Sequence, residues 1–399
     1  MEKLSLLRDL DVGGRRVLLR LDLNVPVDDH HRITDDTRIR RALPTLRELC
    51  ERGARTVILS HFGRPKGRRV EEMSLGFLSA PLSDALARDV AVASDCIGKG
   101  PEAVAAALEP GAVALFENLR FHAGEEANDR GFADALARSG DAYVNDAFSV
   151  CHRAHASVVG LPARLAHAAG QALEAELEAL DAALGHPARP LLAIVGGAKV
   201  STKIGVLANL IGKVDLLAIG GAMANTFLAA QGHGVGASLC EPELAEAARR
   251  IMADAQAAGC EIILPVDAVV ADALRAGAEP AIVAVDAVPA GKMILDIGPA
   301  SADAIGNRIP DCRTLLWNGP VGAFEVHPFD TSTVLLARTA ATMTRAGALV
   351  SVAGGGDTVA ALAHAGAEAG FTYVSAAGGA FLEWLEGKTL PGVAALMAE

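Results

Sequence analysis

The sequence predicts an α/β protein made of two doubly wound, parallel-sheet domains, joined by an interdomain helix and with a cleft between them. Short apolar runs alternate with amphipathic helical patterns through both halves of the chain, which is typical of parallel sheets with right-handed crossovers. The 399 residues are enough for two domains of ordinary size. Polar or glycine-rich segments follow many of the apolar runs, at the points where open parallel sheets bind ligands. We therefore expect two Rossmann-like domains.

Residues 1–170 are predicted to form the N-terminal domain. The predicted strands are Val17–Leu21, Thr56–Ser60, Val90–Ala93, Ala112–Phe116 and Ala142–Asn145. The predicted helices between them are Pro44–Arg52, Pro81–Arg88, Glu102–Leu108 and Gly131–Ser139. Pro44 favours a helix start at that residue, because proline is common in the first helical turn.

Residues 171–185 are interpreted as the interdomain helix, because Gln171–Leu184 is rich in Ala, Leu and Glu and contains no glycine. An ordinary surface helix is the alternative. Residues 186–385 are predicted to form the C-terminal domain. Its predicted strands are Leu191–Val195, Leu216–Ile219, Glu261–Leu264, Thr314–Trp317, Leu349–Val352 and Thr372–Val374, with a small added sheet between 264 and 296. Its predicted helices are Lys199–Ile211, Ala222–Ala230, Pro242–Ala258, Ser301–Asn307, Thr333–Arg345 and Thr358–Ala365.

Composition and charge argue against several classes of protein. Hydrophobic residues make up 51% of the chain, yet no run reaches the roughly 18 apolar residues of a membrane span. The N-terminus lacks the apolar core of a signal peptide, and the six cysteines form no CxxC pair. We expect a cytoplasmic protein with free thiols. The net charge of −12 is unfavourable for a nucleic-acid partner.

In the first half, polar groups follow the predicted strands. Asp22 and Asn24 follow the first strand, His61 and Arg64 follow the second, and Arg120 and Arg153 follow later ones, while Arg38 stands near a helix start. Arginine's planar fork suits carboxylate and phosphate. Any one of these arginines alone would more often be a surface ion pair. Together at one end of a sheet they predict a site for a small, multiply charged anion, with Asp22 and Asn24 taking its hydroxyl groups.

In the second half, a glycine pair and two lysines follow the strand Leu191–Val195. Gly196-Gly197 ends the apolar run, and Val200, Ile204, Leu207 and Ile211 then repeat at the spacing of one helix face. Lys199 and Lys203 are four residues apart, so on a helix both would project from the same side. Exposed N–H groups and two cations at one spot suit a polyphosphate. The Walker pattern GxxxxGK[ST] is absent.

Glycine also follows the other strands of this half. Gly220 and Gly221, the turn at Asn318, and Gly355 and Gly356 would let a ligand approach the backbone closely. Asp357, followed by Thr358, suits either a helix N-cap or a carboxylate that reaches Mg²⁺ on a phosphate. Glu325 suits ribose hydroxyl groups; the alternative is a solvated loop glutamate.

Taken in order, several motifs of this chain resemble those of the phosphoglycerate kinase family over nearly its whole length. The resembling stretches are RLDLNVP at 20–26, SHFGRP at 60–65, LFENLRF at 115–121, NDAFSVCHRAHAS at 145–157, AIVGGAKVSTKI at 193–204, GGAMANTF at 220–227, LWNGPVGAFE at 316–325 and AGGGDT at 353–358. A series of motifs at family-like spacing is far more specific than any single one.

The resemblance implies 3-phosphoglycerate on the N-terminal domain and Mg-nucleotide on the C-terminal domain. It implies contacts to 3-phosphoglycerate from Asp22, Asn24, Arg38, His61, Arg64, Arg120 and Arg153. It implies contacts to nucleotide from Lys203, Gly220, Gly221, Asn318, Glu325, Gly355, Gly356, Asp357 and Thr358, with Asp357 at the metal. Arg38, Lys199 and Lys203 would be catalytic, since they would neutralise the phosphoryl group in transfer. The family's C-terminal tail returns to the N-terminal domain, so we expect residues 386–399 to pack there.

The predicted activity is that of a glycolytic and gluconeogenic kinase. It would transfer a phosphoryl group in line between 1,3-bisphosphoglycerate and ADP, with Mg²⁺ as cofactor and ATP and 3-phosphoglycerate as products. Domain closure would bring the two sites together. Small molecules would be the partners of an expected monomer. Two alternatives are another acyl-phosphate kinase and a non-enzymatic two-domain anion-binding protein.

One segment departs from the family. Ala376-Ala377-Gly378-Gly379-Ala380 stands where the family usually has Thr-Gly-Gly-Gly-Ala. A capping hydroxyl and one glycine are missing, which puts the role of the following helix in closure in doubt.

Overall fold

The computed structural model describes residues 4–397, which form two compact units. The first unit ends at Leu177 and also takes in the C-terminal segment from Thr389 onward. The second unit is Glu178–Lys388. The predicted pair of parallel-sheet α/β domains is confirmed, since each unit is built on a six-stranded parallel sheet.

The sheet of the first unit has the order β3-β4-β2-β1-β5-β6. Its strands are β1 (Arg16–Arg20), β2 (Arg55–Leu59), β3 (Val90–Val92), β4 (Val113–Leu115), β5 (Ala142–Asn145) and β6 (Ala166–Ala169). The apolar runs of β1, β2, β4 and β5 are buried, as strands covered on both faces must be. Strand β6 was missed, because Ala-His-Ala-Ala carries no β-branched residue and is exposed at its start.

Six α-helices follow in this part of the chain. They are α1 (Thr37–Glu51), α2 (Ser79–Leu86), α3 (Lys99–Ala107), α4 (Ala123–Glu126), α5 (Arg130–Ala137) and α6 (Gln171–Leu180). The prediction that Pro44 begins a helix is wrong, because α1 begins at Thr37 and Pro44 lies inside it. The buried face already starts with Ile39 and Ala42, and its burial offsets the roughly 3 kcal/mol that an interior proline costs.

The second unit contains a parallel sheet and a small antiparallel one. Its strands are β7 (Leu191–Val195), β8 (Leu216–Ile219), β9 (Glu261–Ile263), β10 (Asp267–Ala271), β11 (Ala281–Ala284), β12 (Met293–Ile297), β13 (Thr314–Asn318), β14 (Val350–Gly354) and β15 (Tyr373–Ser375). The parallel sheet has the order β15-β14-β13-β7-β8-β9, and the added antiparallel sheet has the order β11-β10-β12. The added sheet lies where the sequence predicted it.

The helices of the second unit are α7 (Ile204–Ile211), α8 (Gly221–Ala230), α9 (Ala245–Ala258), α10 (Pro299–Gly306), α11 (Thr331–Arg345), α12 (Gly356–His364) and α13 (Gly378–Leu385). The predicted helix from Lys199 is wrong in its first turn. Lys199 has extended backbone, Val200–Thr202 forms a 3₁₀ turn, and Lys203 is the N-cap of α7. The two lysines therefore do not project from one α-helix. Lys203 stays out of the helix because its side chain reaches back to the loop after β7.

The C-terminal segment packs on the first unit, to which it belongs. A short helix, α14 (Pro391–Ala394), carries Gly392, whose N–H donates to Cys151 O at 2.8 Å. Ser5 N–H donates to Leu396 O at 3.1 Å. Leu390 and Leu396 are buried, so apolar burial and backbone hydrogen bonds both hold the segment. Residues 398 and 399 of the predicted tail lie outside the described residues.

None of the helices within residues 4–397 combines the length and the apolar character that a bilayer span requires.

Candidate active site

In the first unit, the strand register gathers the predicted polar segments at one edge of the sheet. Arg20, at the end of β1, pairs with Leu59 at the end of β2 and with Asn145 at the end of β5. The segments that follow these three strands carry most of the predicted anion-site residues. The common edge therefore brings together groups that lie far apart in the sequence.

The carboxylate of Asp22 accepts hydrogen bonds from three different segments of the first unit. Arg38, the second residue of α1, donates through Nη1 to Asp22 Oδ2, and the hydroxyl of Ser149 donates to the same oxygen. The N–H of Asn24 donates to Asp22 Oδ1 at 3.1 Å. Asp22 thus orients Arg38 and the loop after β1. Ser149 was missed by the sequence analysis, because a single serine in a loop gives no signal of its own.

Asn24 and Arg120 meet across the loop after β2. Gly63 donates its N–H to Asn24 Oδ1 at 2.9 Å, and its carbonyl oxygen accepts from Arg120 Nη1 at 2.9 Å. The left-handed φ of +61° at Gly63 presents both backbone groups. Burial and then Arg20 lower the pKa of Arg120, and Arg64 acts in the same direction, so these guanidinium groups share one electrostatic environment.

His61 is buried against a fully buried arginine. Arg20 Nη2 lies 3.1 Å from His61 Nδ1. Since a guanidinium only donates, Nδ1 is the acceptor and the ring proton is on Nε2. Burial, followed by Arg20 and Arg120, holds the pKa of His61 well below 6.5. Burial, followed by Arg120 and Arg20, lowers the pKa of nearby His155 to about 4. Both imidazoles are therefore neutral near pH 7.

Arg20 has a buried counter-charge that the sequence analysis missed. The carboxylate of Glu125 accepts from Ser157 N–H at 2.9 Å and from Ser157 Oγ at 2.5 Å, and Ser157 Oγ also accepts from Arg20 Nε at 2.9 Å. Burial raises the pKa of Glu125, and Arg20 opposes that shift. The signal for Arg20 is an arginine inside an apolar strand. Glu125 has no comparable local signal.

The two remaining predicted arginines are exposed. Within residues 4–397, neither Arg64 nor Arg153 pairs with a carboxylate. The charge of Arg153 also helps to lower the pKa of His155, although burial, Arg120 and Arg20 are larger causes. The first unit therefore places all seven predicted substrate residues at one sheet edge, with two guanidinium groups still available to an anion.

In the second unit, Lys203 ties two strand ends together. Its Nζ lies 2.6 Å from Gly196 O, 2.9 Å from Asn318 O and 2.7 Å from Asn318 Oδ1. These three acceptors match the three N–H donors of an ammonium group. Burial lowers the pKa of Lys203 to about 8, although the nearby Asp357 carboxylate opposes the shift. Lys199, by contrast, is exposed.

Glycine is required where these strand ends approach each other. A Cβ on Gly196 would lie 1.9 Å from Pro320 O, a distance that no side chain tolerates. Asn318 Nδ2 donates to Gly354 O at 2.7 Å, and Gly319 N–H donates to Thr358 Oγ1 at 2.7 Å. The loops after β7, β13 and β14 are therefore connected by hydrogen bonds, which places Gly355 (φ +100°) beside Asn318.

A cavity of 310 Å³ opens beside these loops. Three of the predicted nucleotide residues, Gly221, Glu325 and Asp357, line it. Gly220, which precedes α8, packs against Val321, another lining residue. The other side of the cavity was missed by the sequence analysis and is mainly apolar: Leu228, Leu239, Met293, Leu295 and Phe324. Apolar residues scattered over several elements give no local signal of a pocket.

Asp357 is not the N-cap that one interpretation of the sequence expected. Gly355 is the N-cap of α12, and Asp357 lies in the first turn. Its carboxylate is exposed and makes no ion pair with any of residues 4–397. An uncommitted carboxylate beside a cavity fits a hard divalent cation, since Mg²⁺ needs few protein oxygens and keeps several waters.

The segment Ala376–Ala380, which departs from the family pattern, includes the start of a helix. Helix α13 starts at Gly378 with Ala377 as its N-cap, and no side chain caps it. The N–H of Ala377 instead donates to Ser375 Oγ at 3.1 Å.

Comparison with known proteins gives concordant results. A family model described as phosphoglycerate kinase matches residues 7–388. A phosphoglycerate kinase from Methylobacterium radiotolerans is 58% identical over 99% of this chain and 100% of its own length, and one from Rhizobium meliloti is 59% identical over 96% of each chain. The solved phosphoglycerate kinase of Coxiella burnetii covers 99% of both chains with a TM-score of 0.92 and 42% identity. That of Pyrococcus horikoshii covers 98% of both with a TM-score of 0.82 and 30% identity.

Proposed function

The chain belongs to the phosphoglycerate kinase family, and from this premise we propose how its residues divide the reaction. The enzyme transfers a phosphoryl group between the C1 acyl phosphate of 1,3-bisphosphoglycerate and ADP, and in reverse between ATP and 3-phosphoglycerate. The relatives give no support to a different acyl-phosphate kinase or to a non-enzymatic binding protein. In the reverse direction the nucleophile is a carboxylate. Carboxylates are ionised above a pKa of about 4, so no general base is needed.

The first unit is proposed to bind 3-phosphoglycerate. The supporting observation is the collection of Arg38, Arg64, Arg120 and Arg153 at one sheet edge, beside imidazoles that burial keeps neutral. Arg64 and Arg153 are exposed, so they would bind the phosphate at low cost. His61 Nε2–H and Asn24 would donate to the carboxylate or hydroxyl oxygens. Asp22, which is already paired with Arg38, would accept from a substrate hydroxyl.

The second unit is proposed to bind the nucleotide. The apolar wall of the 310 Å³ cavity would take the base, and Glu325 would accept from the ribose. The glycine turns at Gly220-Gly221 and Gly355-Gly356 would bring backbone N–H groups close to the phosphates. Asn318 and Thr358 would hold those turns in position through the hydrogen bonds they already make.

Asp357 is proposed to be the protein ligand of Mg²⁺. Its exposed carboxylate beside the cavity supports this role. When bound, the ion would draw charge from the nucleotide phosphates and orient them. This assignment is independent of helix capping, because Gly355 and not Asp357 is the N-cap of α12.

Three cations are proposed to stabilise the phosphoryl group in transfer: Arg38, Lys199 and Lys203. Their contributions differ. Lys203 is held by three carbonyl oxygens, so it would supply a charge of fixed position. Lys199 is exposed and would follow the substrate. Fixed and mobile charges together suit a reaction that depends on alignment and charge neutralisation.

A coupled spectrophotometric assay with Mg-ATP tests the proposed function. With 3-phosphoglycerate as the acceptor we expect ADP formation at rates typical of a kinase, on the order of 1–100 per second. Acetate and carbamate serve as control acceptors and should give none. Turnover with acetate or carbamate but not with 3-phosphoglycerate would contradict the assignment.

Domain closure stays a prediction. It is expected because the phosphoryl group can be transferred only when the two bound ligands meet. Small-angle scattering should show compaction only when 3-phosphoglycerate and Mg-nucleotide are bound together, and either ligand alone is the control. An unchanged radius in the ternary complex would contradict closure. The monomeric state and cytoplasmic location stay predictions as well, and sedimentation would test the former.

A further inference from the structure

A line of four buried polar side chains runs from α4 to the anion site of the first unit. Glu125, Ser157 and Arg20 are fully buried, and His61 is nearly so. Glu125 lies in the first turn of α4, Arg20 ends β1, and His61 follows β2. Because these groups are shielded from bulk water, their hydrogen bonds must come from other protein groups.

Hydrogen bonds connect Glu125 to His61 through two intermediate side chains. The hydroxyl of Ser157 accepts from Arg20 Nε at 2.9 Å and donates to Glu125 Oε1 at 2.5 Å. Arg20 Nη2 donates to His61 Nδ1 at 3.1 Å, and Arg20 Nη1 donates to Leu21 O. Since the guanidinium is a rigid fork of donors, bonds from all three of its nitrogens fix its orientation. The buried carboxylate therefore reaches the imidazole through a serine and an arginine.

Ser157 is suited to the middle position of this line, because a hydroxyl can donate one hydrogen bond and accept another at the same time. Its N–H also donates to Glu125 Oε2 at 2.9 Å, so both carboxylate oxygens are bound by the same residue. Tyr143 Oη donates to Ser157 O at 2.7 Å, which holds the backbone of the serine. Ser157 thus has a fixed position between the carboxylate and the guanidinium.

Stability alone gives little reason for this arrangement. Burial raises the pKa of Glu125 and lowers the pKa of Arg20, so burial opposes the charged form of each group. A buried pair of opposite charges is weak evidence for stability, because desolvation can exceed the attraction. Arg20, however, donates to an imidazole nitrogen of the proposed substrate site. The nitrogen that accepts this bond cannot carry the ring proton, which leaves the proton on Nε2.

We propose that Glu125 and Ser157 are positioning residues for the binding of 3-phosphoglycerate. They hold Arg20 so that the proton of His61 stays on Nε2, from which it can donate to the substrate. This rests on the proposed function, in which His61 contacts 3-phosphoglycerate. Both positioning residues are fully buried, so they act through Arg20. Without the Ser157 hydroxyl, Arg20 Nε loses its acceptor, the guanidinium can turn away from Nδ1, and His61 can adopt its other tautomer.

The test removes the link between the two charges without removing either charge. In unliganded Ser157→Ala, nitrogen NMR with labelled histidine should show Nδ1 of His61 protonated in part of the population; His61→Asn assigns the signal by its loss. KM for 3-phosphoglycerate should rise by roughly tenfold, as for the loss of one hydrogen bond. kcat and KM for Mg-ATP should change little, because a contact of equal strength in the ground state and the transition state affects KM alone. Ser157→Thr keeps the hydroxyl and should retain the Nε2–H tautomer and the normal KM.

Glu125→Gln tests the carboxylate itself. This variant keeps the shape of the side chain but leaves the buried Arg20 without its counter-charge. We expect the His61 tautomer and KM for 3-phosphoglycerate to change in the same direction as in Ser157→Ala. A Glu125→Gln enzyme in which both stay as in the unmodified enzyme would overturn the role of Glu125.

Ser301→Ala is the matched control. The Ser301 hydroxyl also donates to a carboxylate oxygen, Asp267 Oδ1, at 2.5 Å, but it belongs to the second unit. This variant should leave the His61 tautomer and KM for 3-phosphoglycerate unchanged.

Three results would overturn the proposal. They are an unchanged His61 tautomer in Ser157→Ala, an unchanged KM for 3-phosphoglycerate beside a changed tautomer, and an Nδ1–H tautomer in the unmodified enzyme. The third result decides the question even if a variant fails to fold. Failure of the proposed function is distinguishable, because it would appear as absent turnover of 3-phosphoglycerate by the unmodified enzyme, whereas the tautomer is measured without turnover.

Discussion

Lys203 Nζ lies 2.7 Å from Asn318 Oδ1 and 2.9 Å from Asn318 O, so the ammonium group of the lysine at the N-cap of α7 donates twice to the asparagine that ends β13. Gly196 O completes the set at 2.6 Å. The lysine is therefore a structural connection between two strand ends as well as a positive charge beside the cavity. Its protonation should affect both roles.

The first prediction concerns the pH dependence of turnover. Burial lowers the pKa of Lys203 to about 8, so kcat with 3-phosphoglycerate and Mg-ATP should fall as pH rises through about 8, because the neutral amine no longer offsets phosphate charge. Lys203→Arg keeps its charge at alkaline pH and should move this fall to higher pH. The exposed Lys213 provides the control substitution, Lys213→Arg. A profile that stays flat through pH 8 would contradict the role of the charge.

The free energy of unfolding should also depend on the protonation of Lys203, but it should rise with pH where kcat falls. Folding lowers the pKa of Lys203 from 10.5 to about 8, so the unfolded chain binds the proton more tightly. The contribution of Lys203 to the free energy of unfolding should therefore rise between pH 8 and 10.5. Urea titrations of the enzyme and of Lys203→Met across this range isolate the contribution, because the variant lacks it.

The second prediction concerns Arg38. Its guanidinium is oriented by Asp22, and the proposed role is to stabilise the phosphoryl group in transfer. Arg38→Ala should lower kcat by roughly 10²–10³-fold, which is the usual loss when one preorganised donor is removed from a transition state. Arg40→Ala is the control on the same helix, since Arg40 is exposed and pairs with Asp36 at 2.9 Å. Near-normal turnover of Arg38→Ala would reject the role.

The third prediction concerns His61, which should be neutral and protonated on Nε2. The pKa of His61 is well below 6.5, with burial as the main cause, so nitrogen NMR should show the neutral Nε2–H tautomer throughout the neutral range. His61→Asn can keep an acceptor for Arg20 but loses the Nε2 donor, and it should raise KM for 3-phosphoglycerate by roughly tenfold. His61→Gln carries an amide donor at about the position of Nε2 and should lose less. Titration of His61 near pH 6.5 would contradict the assignment.

The sign of the stability effect also follows for His61. Because folding lowers the pKa of His61 below 6.5, the unfolded chain binds this proton more readily. The contribution of His61 to stability is present above pH 6.5 and is lost as the pH falls below it.

The fourth prediction concerns the close approach of two loops. Gly196→Ala would place a methyl group 1.9 Å from Pro320 O, which forces the loops after β7 and β13 apart. We expect a loss of at least about 1–3 kcal/mol of stability and a strong loss of ADP affinity in calorimetry. Gly212→Ala is the control, because a Cβ there would meet no atom within 4 Å. Unchanged ADP affinity in Gly196→Ala would contradict the link between this packing and nucleotide binding.

Much of the fold could be predicted from local patterns. Runs such as Leu191–Val195 are apolar without alternation because both faces of a parallel strand are buried, and the structure has that strand at the predicted bounds. The start of α1 could not be predicted in this way. Proline suggests a helix start, but the buried contacts of Ile39 and Ala42 extend the helix upstream. The prediction for the first turn of α7 was wrong for a similar reason. The Lys203 side chain contacts carbonyl oxygens of other segments, and Lys203 is the N-cap of α7 and not part of the helix.

The sequence by itself determined the two parallel-sheet domains, the segments that follow their strands and the family to which the motifs belong. These follow from periodicity and from residue order, which are local properties. Only the tertiary structure decided which groups are paired, neutral or free. Lys203 and Asn318 are 115 residues apart, and Arg20 acquires its counter-charge Glu125 only through folding. Burial and the field of distant charges set these states, and neither is encoded in any single segment of the chain.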